Sequence, residues 1–543
     1  MKFVNVLFVV LLYCTHLSAQ VTLPNNLYFT HIGVEDGLCQ NTVCCILQDH
    51  LGFIWLGTKD GLTRYDGYRF RVFKHDAADP MSIGNNFIRV LYEDADGLIW
   101  IGTNVGVYIY NPETENFRKF DVATERGDVI SREVSSIKCD SSGDLWIGVN
   151  WQGVFRYDRR DESLELYEPV PGDTTSLSSV HVWDLCFDGD GNLWVGSQNG
   201  GLDRYDRETD RFVRHRLKGL SDVSRIVLDK QNQLLLGTMK DGLFSFNPYM
   251  GTCQPLLLDS GHKDLFVRAI FVRNSREVVV GTENGIYIYD CVTRKTRHVN
   301  QELGNPYSLS CKAVYSIYCD KEGALWIGTY FGGVNYLPPS SSLIFDKFYP
   351  IGHSDRLSGK AVREFVRDES GIIWIGTEDQ GLNRFDPVSG KFTHYNSRNS
   401  GLSCDNVHGL CVDGDRLYIG TFFGGFNIMD LKTNEIVALG SQMLPDDSVF
   451  SIFRDHDGRI WVGLTYGLCL FHPEDGSFEL VREIPENLFI YDIYQGDDGI
   501  IYFAAYNRGV ITYNPHTGKW GQVESGDEGL LKHVVSINED SAF

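Results

Sequence analysis

The sequence from Asp140 to Asp158 reads D-S-S-G-D-L-W-I-G-V-N-W-Q-G-V-F-R-Y-D, and the same pattern recurs along almost the whole chain. It contains a tight turn, a short apolar run with a tryptophan and a glycine, a second turn, and a run that ends in Tyr-Asp. Consecutive copies are 41 to 48 residues apart. A repeat of this length that is built from short strands is typical of the blades of a β-propeller.

One position of the repeat holds Trp in seven copies and Leu, Val or Tyr in the other four. Its members are Trp55, Trp100, Trp146, Trp194, Leu235, Val279, Trp326, Trp374, Tyr418, Trp461 and Tyr502. Two places further on, ten copies have Gly and the last has Ala504. Around this position we predict four antiparallel strands per copy: V-x-x-I, then a D-x-x-G hairpin turn, L-W-I-G-T, G-L-x-x-Y-D, and a short outer strand. The Asp of the turn is expected to accept hydrogen bonds from turn N–H groups.

The copies fall into two groups, separated by an interruption of the rhythm at Pro338–Ser342. Seven copies precede it. After it, Phe345–Tyr349 parallels Leu27–His31 at the start of the first group, and we expect each of these segments to pair with the last blade of its own ring and close it. The sequence therefore predicts an all-β chain with a complete seven-bladed propeller at residues 20–340 and an incomplete second propeller at residues 341–543.

The second group has four copies and the start of a fifth at Val534, Ile537 and Asp540. The sequence ends at Phe543, where the repeat calls for the glycine of a hairpin turn. We interpret the chain as an N-terminal fragment or a truncated reading frame, with about four and a half blades in the second ring.

The N-terminus has the features of a secretory signal peptide over residues 1–19. Lys2 precedes an apolar run from Phe3 to Tyr13, and Leu17-Ser18-Ala19 offers a cleavage site. Cys14 suggests a lipoprotein alternative, which the bulky Tyr13 before it disfavours. No later stretch has the ~20 apolar residues of a transmembrane helix. We expect a periplasmic chain with no membrane segment.

The chain has a formal net charge of −23, which repels nucleic acid and anionic headgroups. This total does not exclude an acidic glycan, because a local basic patch can still bind an anion. We expect no nucleic-acid partner.

Twelve cysteines follow Cys14. Cys139 and Cys319 share one position of the repeat, and Cys186 and Cys411 share another, where small apolar side chains pack between strands. This placement favours buried free thiols, with disulfides and a metal site as alternatives. No pair of cysteines has zinc spacing.

The repeat L-W-I-G-T-x-x-G-L-x-x-Y-D, preceded by D-x-x-G, resembles the two-component regulator propeller repeat. The segment from His31 to Gly67 resembles the start of the periplasmic sensor region of hybrid two-component systems from gut Bacteroidetes. That resemblance implies two propellers, an immunoglobulin-like domain, a transmembrane helix, a histidine kinase, a receiver and a DNA-binding domain of the AraC type, in an inner-membrane protein that can form homodimers. It implies a sensor that binds oligosaccharides and controls polysaccharide utilisation. This chain has no phosphoacceptor box, so kinase activity does not carry over.

The loops between the second and third strands are the candidate ligand site, because several are aromatic and polar. Aromatic faces pack on sugar C–H surfaces, and Asn, Gln and Arg bond hydroxyls or acidic groups. The candidates are Trp151, Gln152, Tyr330, Phe331, Phe422, Phe423, Tyr466, Tyr506 and Arg508. The alternative is that these aromatics fill the ring centre or pack on a neighbouring domain.

The sequence indicates no catalytic residue, metal site or cofactor. The Asp-x-Asp-Gly strings at Asp94, Asp188 and Asp455 lack the distant Glu of a calcium loop and are explained by turn capping. Paired carboxylates for glycoside cleavage are not identifiable, since every acidic position of the repeat has a turn explanation. The leading interpretation is a non-catalytic oligosaccharide sensor. A periplasmic propeller glycosidase or lyase and a protein-interaction scaffold are the alternatives.

Overall fold

A computed structural model describes residues 22–24, 26–217, 220, 222–257, 265–339, 348–349, 356–439, 444–484, 488–523 and 533–538. The chain divides into two compact units, Met1–Asp346 (unit 1) and Lys347–Phe543 (unit 2). The predicted signal peptide and the boundary at residue 340 lie outside the described residues. Among those residues no helix is long and apolar enough to cross a membrane.

Unit 1 contains seven four-stranded antiparallel sheets among its described residues. In chain order the strands are β1 Thr30–Ile32, β2 Val43–Gln48, β3 Ile54–Thr58, β4 Gly61–Tyr65, β5 Phe70–Phe73, β6 Ile88–Glu93, β7 Ile99–Thr103, β8 Gly106–Asn111, β9 Asn116–Lys119, β10 Val134–Cys139, β11 Leu145–Val149, β12 Gly153–Asp158, β13 Ser163–Tyr167, β14 Val182–Phe187, β15 Leu193–Ser197, β16 Gly201–Asp206, β17 Arg211–His215, β18 Arg225–Leu228, β19 Leu234–Gly237, β20 Leu243–Asn247, β21 Thr252–Leu257, β22 Val267–Val272, β23 Glu277–Thr282, β24 Gly285–Asp290, β25 Thr296–Val299, β26 Val314–Cys319, β27 Leu325–Thr329 and β28 Val334–Leu337. One 3-10 turn, Val34–Asp36, follows β1.

Unit 2 contains four sheets of the same kind in its described part. Their strands are β29 Val362–Arg367, β30 Ile373–Thr377, β31 Gly381–Asp386, β32 Lys391–Tyr395, β33 Val407–Asp413, β34 Arg416–Thr421, β35 Gly425–Asp430, β36 Ile436–Leu439, β37 Val449–Arg454, β38 Ile460–Leu464, β39 Gly467–His472, β40 Ser477–Leu480, β41 Ile490–Gln495, β42 Ile501–Ala505, β43 Gly509–Asn514 and β44 Lys519–Gln522. The predicted all-β propeller architecture is confirmed.

Unit 1 is a closed ring. The inner strands contact one another in the cyclic order β2, β6, β10, β14, β18, β22, β26 and back to β2. The opening strand β1 pairs antiparallel with β28, Thr30 opposite Tyr336 and Ile32 opposite Val334. The seventh sheet is thus completed by the start of the chain, as predicted. The paired segment begins at Thr30 rather than Leu27, because the Phe29 N–H donates instead to the Tyr307 carbonyl at 2.9 Å.

The Asp of each hairpin turn holds both the turn and the tryptophan that follows six residues later. In the seven copies with Trp, one carboxylate oxygen accepts the N–H of the residue four places on. The other oxygen accepts the indole N–H at 2.7–3.1 Å. The buried indoles therefore have a charged acceptor, and such a bond is stronger than one between neutral groups.

The glycine two places after the tryptophan gives room to the next sheet. A Cβ on any of the ten glycines would lie 2.5–2.9 Å from a side-chain methyl of the Val or Ile near the start of the next inner strand. At Gly328 that neighbour is Val43 of the first sheet, 2.8 Å away. The contact that closes the ring is thus of the same kind as the contact between each of the other pairs of neighbouring sheets.

The sheets of unit 2 follow one another in a row, with inner-strand contacts from β29 to β33, β37 and β41. The short segment 533–538 lies beside β41: the Ile537 N–H donates to Asp492 at 2.8 Å. In unit 1 the Ile226 N–H donates to Asp184 in the same way, at 3.0 Å. The predicted inner residues Val534 and Ile537 therefore approach the fourth sheet as an inner strand does, whereas Asp540 and most of Phe345–Tyr349 lie outside the described residues.

The twelve cysteines after Cys14 are all free thiols. Only Cys186, Cys411 and Cys469 are buried, and the other nine are half-buried, so the expectation of burial holds for a minority. Of these nine, Cys39 lies in the loop before β2, whereas Cys44 and Cys45 lie within that strand.

Candidate functional site

The loops between second and third strands and the segments before the inner strands lie at the same edge of each sheet, here called the loop face. Backbone bonds join the two kinds of segment: Trp151 N–H to Val180 O at 2.9 Å, and Gly381 N–H to Asp405 O at 2.8 Å. The antiparallel order of the sheets places both at one end of the strands. All nine candidate site residues are in such loops.

Nearly every inner strand has a β-bulge near its start, and the bulge leaves one residue without a partner in the ladder. In β2, Val43 is opposite Thr58 and Cys45 is opposite Gly57, so Cys44 has no partner in the ladder. The same shift occurs in every inner strand except β18. Bulges re-aim side chains in this way and are common next to functional sites.

In unit 1 the bulges and adjoining loops bring four cations together with aromatic rings. This basic cluster consists of Lys59, Arg89, Arg225 and Arg268, with the rings of Phe87, Phe266, Tyr315 and Tyr330. Its members come from five of the seven sheets and from segments more than 200 residues apart. The members of the cluster meet because the inner strands of a propeller are arranged around one axis.

Two of these arginines are stacked on aromatic rings and paired with carboxylates. The Arg89 guanidinium lies 4.1 Å from the Phe87 ring centre and 3.2 Å from Glu133. The Arg268 guanidinium lies 3.8 Å from the Phe266 ring centre and 2.6 Å from Glu283. Both side chains are therefore held in fixed directions by a cation–π contact and an ion pair.

The other two cations, Lys59 and Arg225, have no carboxylate of a described residue within ion-pair distance. The Lys59 ammonium lies 4.1 Å from the Tyr330 ring centre, and its side chain is half-buried. Arg225 donates from Nε to the Arg268 carbonyl at 2.7 Å and from Nη1 to the Ser224 carbonyl at 2.8 Å. Its pKa is lowered by burial first, and further by the positive charges of Arg268 and Arg89.

Cys44 lies within the electrostatic reach of this cluster. Burial raises the pKa of its thiol to about 11, although Arg89, Lys59 and Arg268 oppose the rise. The thiol is therefore protonated at neutral pH, and a nucleophilic thiolate is not formed there.

The four candidate residues of unit 1 lie in two places. Tyr330 belongs to the basic cluster, and its ring contacts Phe331 with centres 4.2 Å apart. Trp151 lies on another sheet and packs edge-on against His181, with ring centres 4.1 Å apart. Gln152 has a structural role there, because its amide accepts the Ser131 N–H and donates to the Val129 carbonyl, both at 3.0 Å.

In unit 2 three of the four bulge positions carry aromatic rings, and the fourth, in β29, carries Arg363, which is paired with Glu378. His408, Phe450 and Tyr491 are the bulge residues of β33, β37 and β41, and neighbouring members contact each other with ring centres 4.2 and 5.3 Å apart. The aromatic cluster of unit 2 also includes Phe422, Phe423, Phe489, Tyr506 and His533.

Of the candidate residues in unit 2, Phe422, Phe423 and Tyr506 join this aromatic cluster. Tyr466 lies apart from it, and its N–H donates to Asp446 at 3.1 Å. Arg508 is exposed. Burial lowers the pKa of His408 to about 4, with Arg363 adding to the effect, so the cluster is uncharged at this position near pH 7.

Four candidate aromatics project into solvent from the loop face. Trp151, Phe331, Phe423 and Tyr466 are between 65% and 70% exposed. Trp151 and Phe423 also have positive φ values, 70° and 66°, which non-glycine residues rarely adopt. Large exposed rings in a strained loop conformation are more typical of a binding surface than of a packed core.

The bulge residues were absent from the sequence-based candidates. Arg89, Arg268, His408, Phe450 and Tyr491 occupy a variable position of V-x-x-I, which carries no turn or motif signal. Their common place in the repeat, directly after the first β-branched residue, is the signal that could have found them. Among the described residues, no group of three or more His, Cys, Asp or Glu is arranged to hold a metal ion.

Comparison with known proteins matches residues 37–60, 82–105, 176–199, 308–331 and 443–466 to the two component regulator propeller family. A segment of 59 residues is 39% identical to histidine kinase P4 of Formosa agariphila; it spans 11% of this chain but only 4% of that kinase.

Two solved structures share the fold over most of the chain. The extracellular domain of the putative hybrid two component system BT3049 from B. thetaiotaomicron is 23% identical with a TM-score of 0.60, covering 91% of this chain and 78% of that one. The extracellular domain of BT4673, from a putative hybrid two component system of the same organism, is 19% identical with a TM-score of 0.51, covering 92% and 74%. The chain therefore carries two-component regulator propeller repeats in both of its units, as its sequence predicted.

Proposed function

We propose that this chain is the oligosaccharide-binding periplasmic part of a hybrid two-component sensor that regulates polysaccharide utilisation. The observation that carries the proposal is the set of exposed aromatic rings on the loop face, at the same edge as the clusters formed by the bulge residues. Rings such as Trp151 and Phe423 offer apolar faces for sugar C–H groups, with polar side chains beside them for hydroxyls.

The repeats and the shared fold support a sensor role, since the solved relatives are extracellular domains of two-component systems. Kinase and DNA-binding activities would belong to other parts of such a system. A glycosidase or lyase would need a placed acid and base in the ligand site. At the centre of unit 1, Glu133 and Glu283 are paired with arginines, and Asp184 accepts three hydrogen bonds. In unit 2, burial raises the pKa of Glu364 to about 7 and the charge of Asp492 adds to the rise, so these two carboxylates are the ones that the product analysis below tests.

The test is isothermal titration calorimetry of the full chain with a panel of neutral and acidic oligosaccharides, followed by chromatography of the incubated sugars. Saturable binding without new products is the expected result. Sugar cleavage would establish the enzyme alternative, and absence of any binding would contradict the proposal.

Single variants locate the binding surface on the loop face. Trp151→Ala and Phe423→Ala each remove an exposed ring, and we expect at least one of them to weaken binding about tenfold or more, because a stacked aromatic anchor contributes ~1–2 kcal/mol. Tyr68→Ala is the matched control, since Tyr68 is an exposed aromatic in the loop between β4 and β5 at the opposite edge of the sheet. An effect of Tyr68→Ala alone would place the site on the other face.

A further inference from the structure

The centre of unit 1 has cationic donors that the protein itself leaves unused. Arg89 and Arg268 each have a carboxylate partner, Glu133 and Glu283. Arg225 donates from Nε and Nη1 to neutral carbonyls, and its Nη2 has no hydrogen-bond partner in the described part of the chain. Among the residues that the structure describes, the Lys59 ammonium group has no hydrogen-bond or ion-pair partner, and it is held over the Tyr330 ring.

One further carboxylate, Asp184, lies within electrostatic range of Arg225. Its oxygens already accept three bonds, from the Ser136 hydroxyl at 2.9 Å, the Leu185 N–H at 2.9 Å and the Ile226 N–H at 3.0 Å. Asp184 thus serves the packing of neighbouring inner strands and is not an ion-pair partner of the cluster. Counting it with Glu133 and Glu283, four cations still face three carboxylates.

This local excess of positive charge contrasts with the chain as a whole, whose formal net charge is −23. Bringing guanidinium and ammonium groups together in a partly desolvated centre is unfavourable unless an anion is present. Arginine offers a planar pair of donors for two oxygens of one anion, and lysine adds a point charge. The aromatic rings of Tyr330 and Phe331 lie next to the unpaired ammonium, where a sugar ring attached to that anion could stack.

We propose that the basic cluster of unit 1 binds a carboxylate or sulfate group, so that the ligand of the sensor is an acidic oligosaccharide. This inference rests on the proposed function and names its ligand class. Lys59 and Arg225 provide the free donors, and Arg89 and Arg268 supply fixed positive charge around them.

The experiment compares three trisaccharide-sized probes on the full chain by titration calorimetry: tri-galacturonate, a sulfated galactan oligosaccharide and neutral galactotriose. The first two separate a carboxylate ligand from a sulfate ligand. We expect one acidic probe to bind at least tenfold more tightly than galactotriose, and its affinity to fall as sodium chloride is added, because salt screens the attraction.

The variant Lys59→Met keeps the aliphatic stem on Tyr330 and removes the charge. Since Lys59 has no ion pair to lose, the variant is expected to keep the fold, which its circular dichroism and melting temperature would verify. The variant should weaken binding of the acidic probe at least tenfold and leave binding of galactotriose unchanged. Lys230→Met is the matched control, because Lys230 is an exposed lysine in the turn after β18, at the opposite edge.

The outcomes separate the inference from the proposed function. If galactotriose binds as tightly as the acidic probes and Lys59→Met changes nothing, the inference is overturned while the sensor proposal stands. If acidic probes bind but Lys59→Met and Lys230→Met behave alike, the anion site is not the basic cluster and the inference is again overturned. If no oligosaccharide of the wider panel binds, the proposed function itself fails.

Discussion

The first sheet of unit 1 and the first sheet of unit 2 have the same strand order and the same motif but different surroundings. In unit 1, Val43 and Ile46 of the inner strand are 0% and 9% exposed. The corresponding residues of unit 2, Val362 and Phe365, are 46% and 69% exposed. A blade thus forms from its own four strands, whereas burial of its inner strand depends on the sheet beside it.

The glycines show why the two cases differ. Val43 packs against Gly328 of the seventh sheet, as Val407 packs against Gly376 within unit 2. Val362 occupies the same position in β29 but is largely exposed, so the apolar surface that closure would remove from water remains accessible there. Each apolar Å² left in water forgoes ~25 cal/mol.

The largest expected effect comes from blocking the closing contact. In Gly328→Val the new Cβ would lie 2.8 Å from both Val43 Cγ1 and the Val43 carbonyl oxygen. We expect unit 1 to lose about 3 kcal/mol or more of stability, because backbone and packed side chain both resist the insertion. Hydrogen exchange measured by mass spectrometry should show lost protection in β2 and β26, with unit 2 peptides as the internal control. Unchanged protection in β2 would mean that this contact does not hold the ring closed.

A second prediction concerns a buried polar position of the third strand, which differs between blades. Asp203 occupies it in the fourth sheet, and Asn335, Asn383 and Asn427 occupy it elsewhere. Each asparagine accepts a serine N–H and donates its amide to a carbonyl eight residues earlier, at 3.3–3.5 Å. Asp203 accepts from Ser178, but its other oxygen is buried with no hydrogen-bond partner.

Burial raises the pKa of Asp203 from 3.8 to about 6. Ionisation is therefore harder in the folded state, so stability falls as pH rises from about 4 to 6, and the full penalty applies above that range. We expect Asp203→Asn to stabilise unit 1 by up to about 3 kcal/mol at pH 7 and by little near pH 4. Urea denaturation across this pH range measures the difference. A variant that is equally stabilising at pH 4 and 7, or destabilising at pH 7, would contradict the prediction.

The smallest expected effects are those of two matched variants, one in the first sheet of unit 1 and one in the first sheet of unit 2. Ile46→Ala removes buried methyl groups and is expected to cost roughly 2 kcal/mol. Phe365→Ala removes a larger side chain at the same position of unit 2 but should change stability by less than about 0.5 kcal/mol, since the ring is mostly exposed. Both predictions are tested by urea denaturation, with the unfolding of each unit monitored by the hydrogen exchange of its own peptides. Equal costs for the two variants would show that β29 is covered in solution.

Much of the fold could be predicted from residues that act within one repeat. The turn Asp, the strand pattern and the spacing of Trp55 through Trp326 predicted the sheets, because every blade except the seventh is made from consecutive residues, with copies 41 to 48 residues apart. The hydrogen bond from the Trp146 indole to Asp140 was not predicted, although the spacing of six residues between the two is constant. The role of the glycines was also missed, since Gly328 meets its neighbour Val43 from the other end of the ring.

The candidate site was predictable only in part. Loop aromatics such as Trp151 and Phe423 are visible in the sequence because their loops differ from the consensus. The basic cluster is not visible in the sequence, because Arg89 and Arg268 lie far apart along the chain and each occupies a variable strand position.

The amino-acid sequence by itself determined the repeat, the four-stranded sheets and the number of copies in each group, because these depend on local turn chemistry and strand patterning. Only the tertiary structure decided which residues meet at the centre of unit 1, since β-bulges aim them inward and the circular order of inner strands brings them together. It also decided that Val43 is buried while Val362 is exposed. Burial is a property of the neighbouring sheet, which the residue itself does not encode.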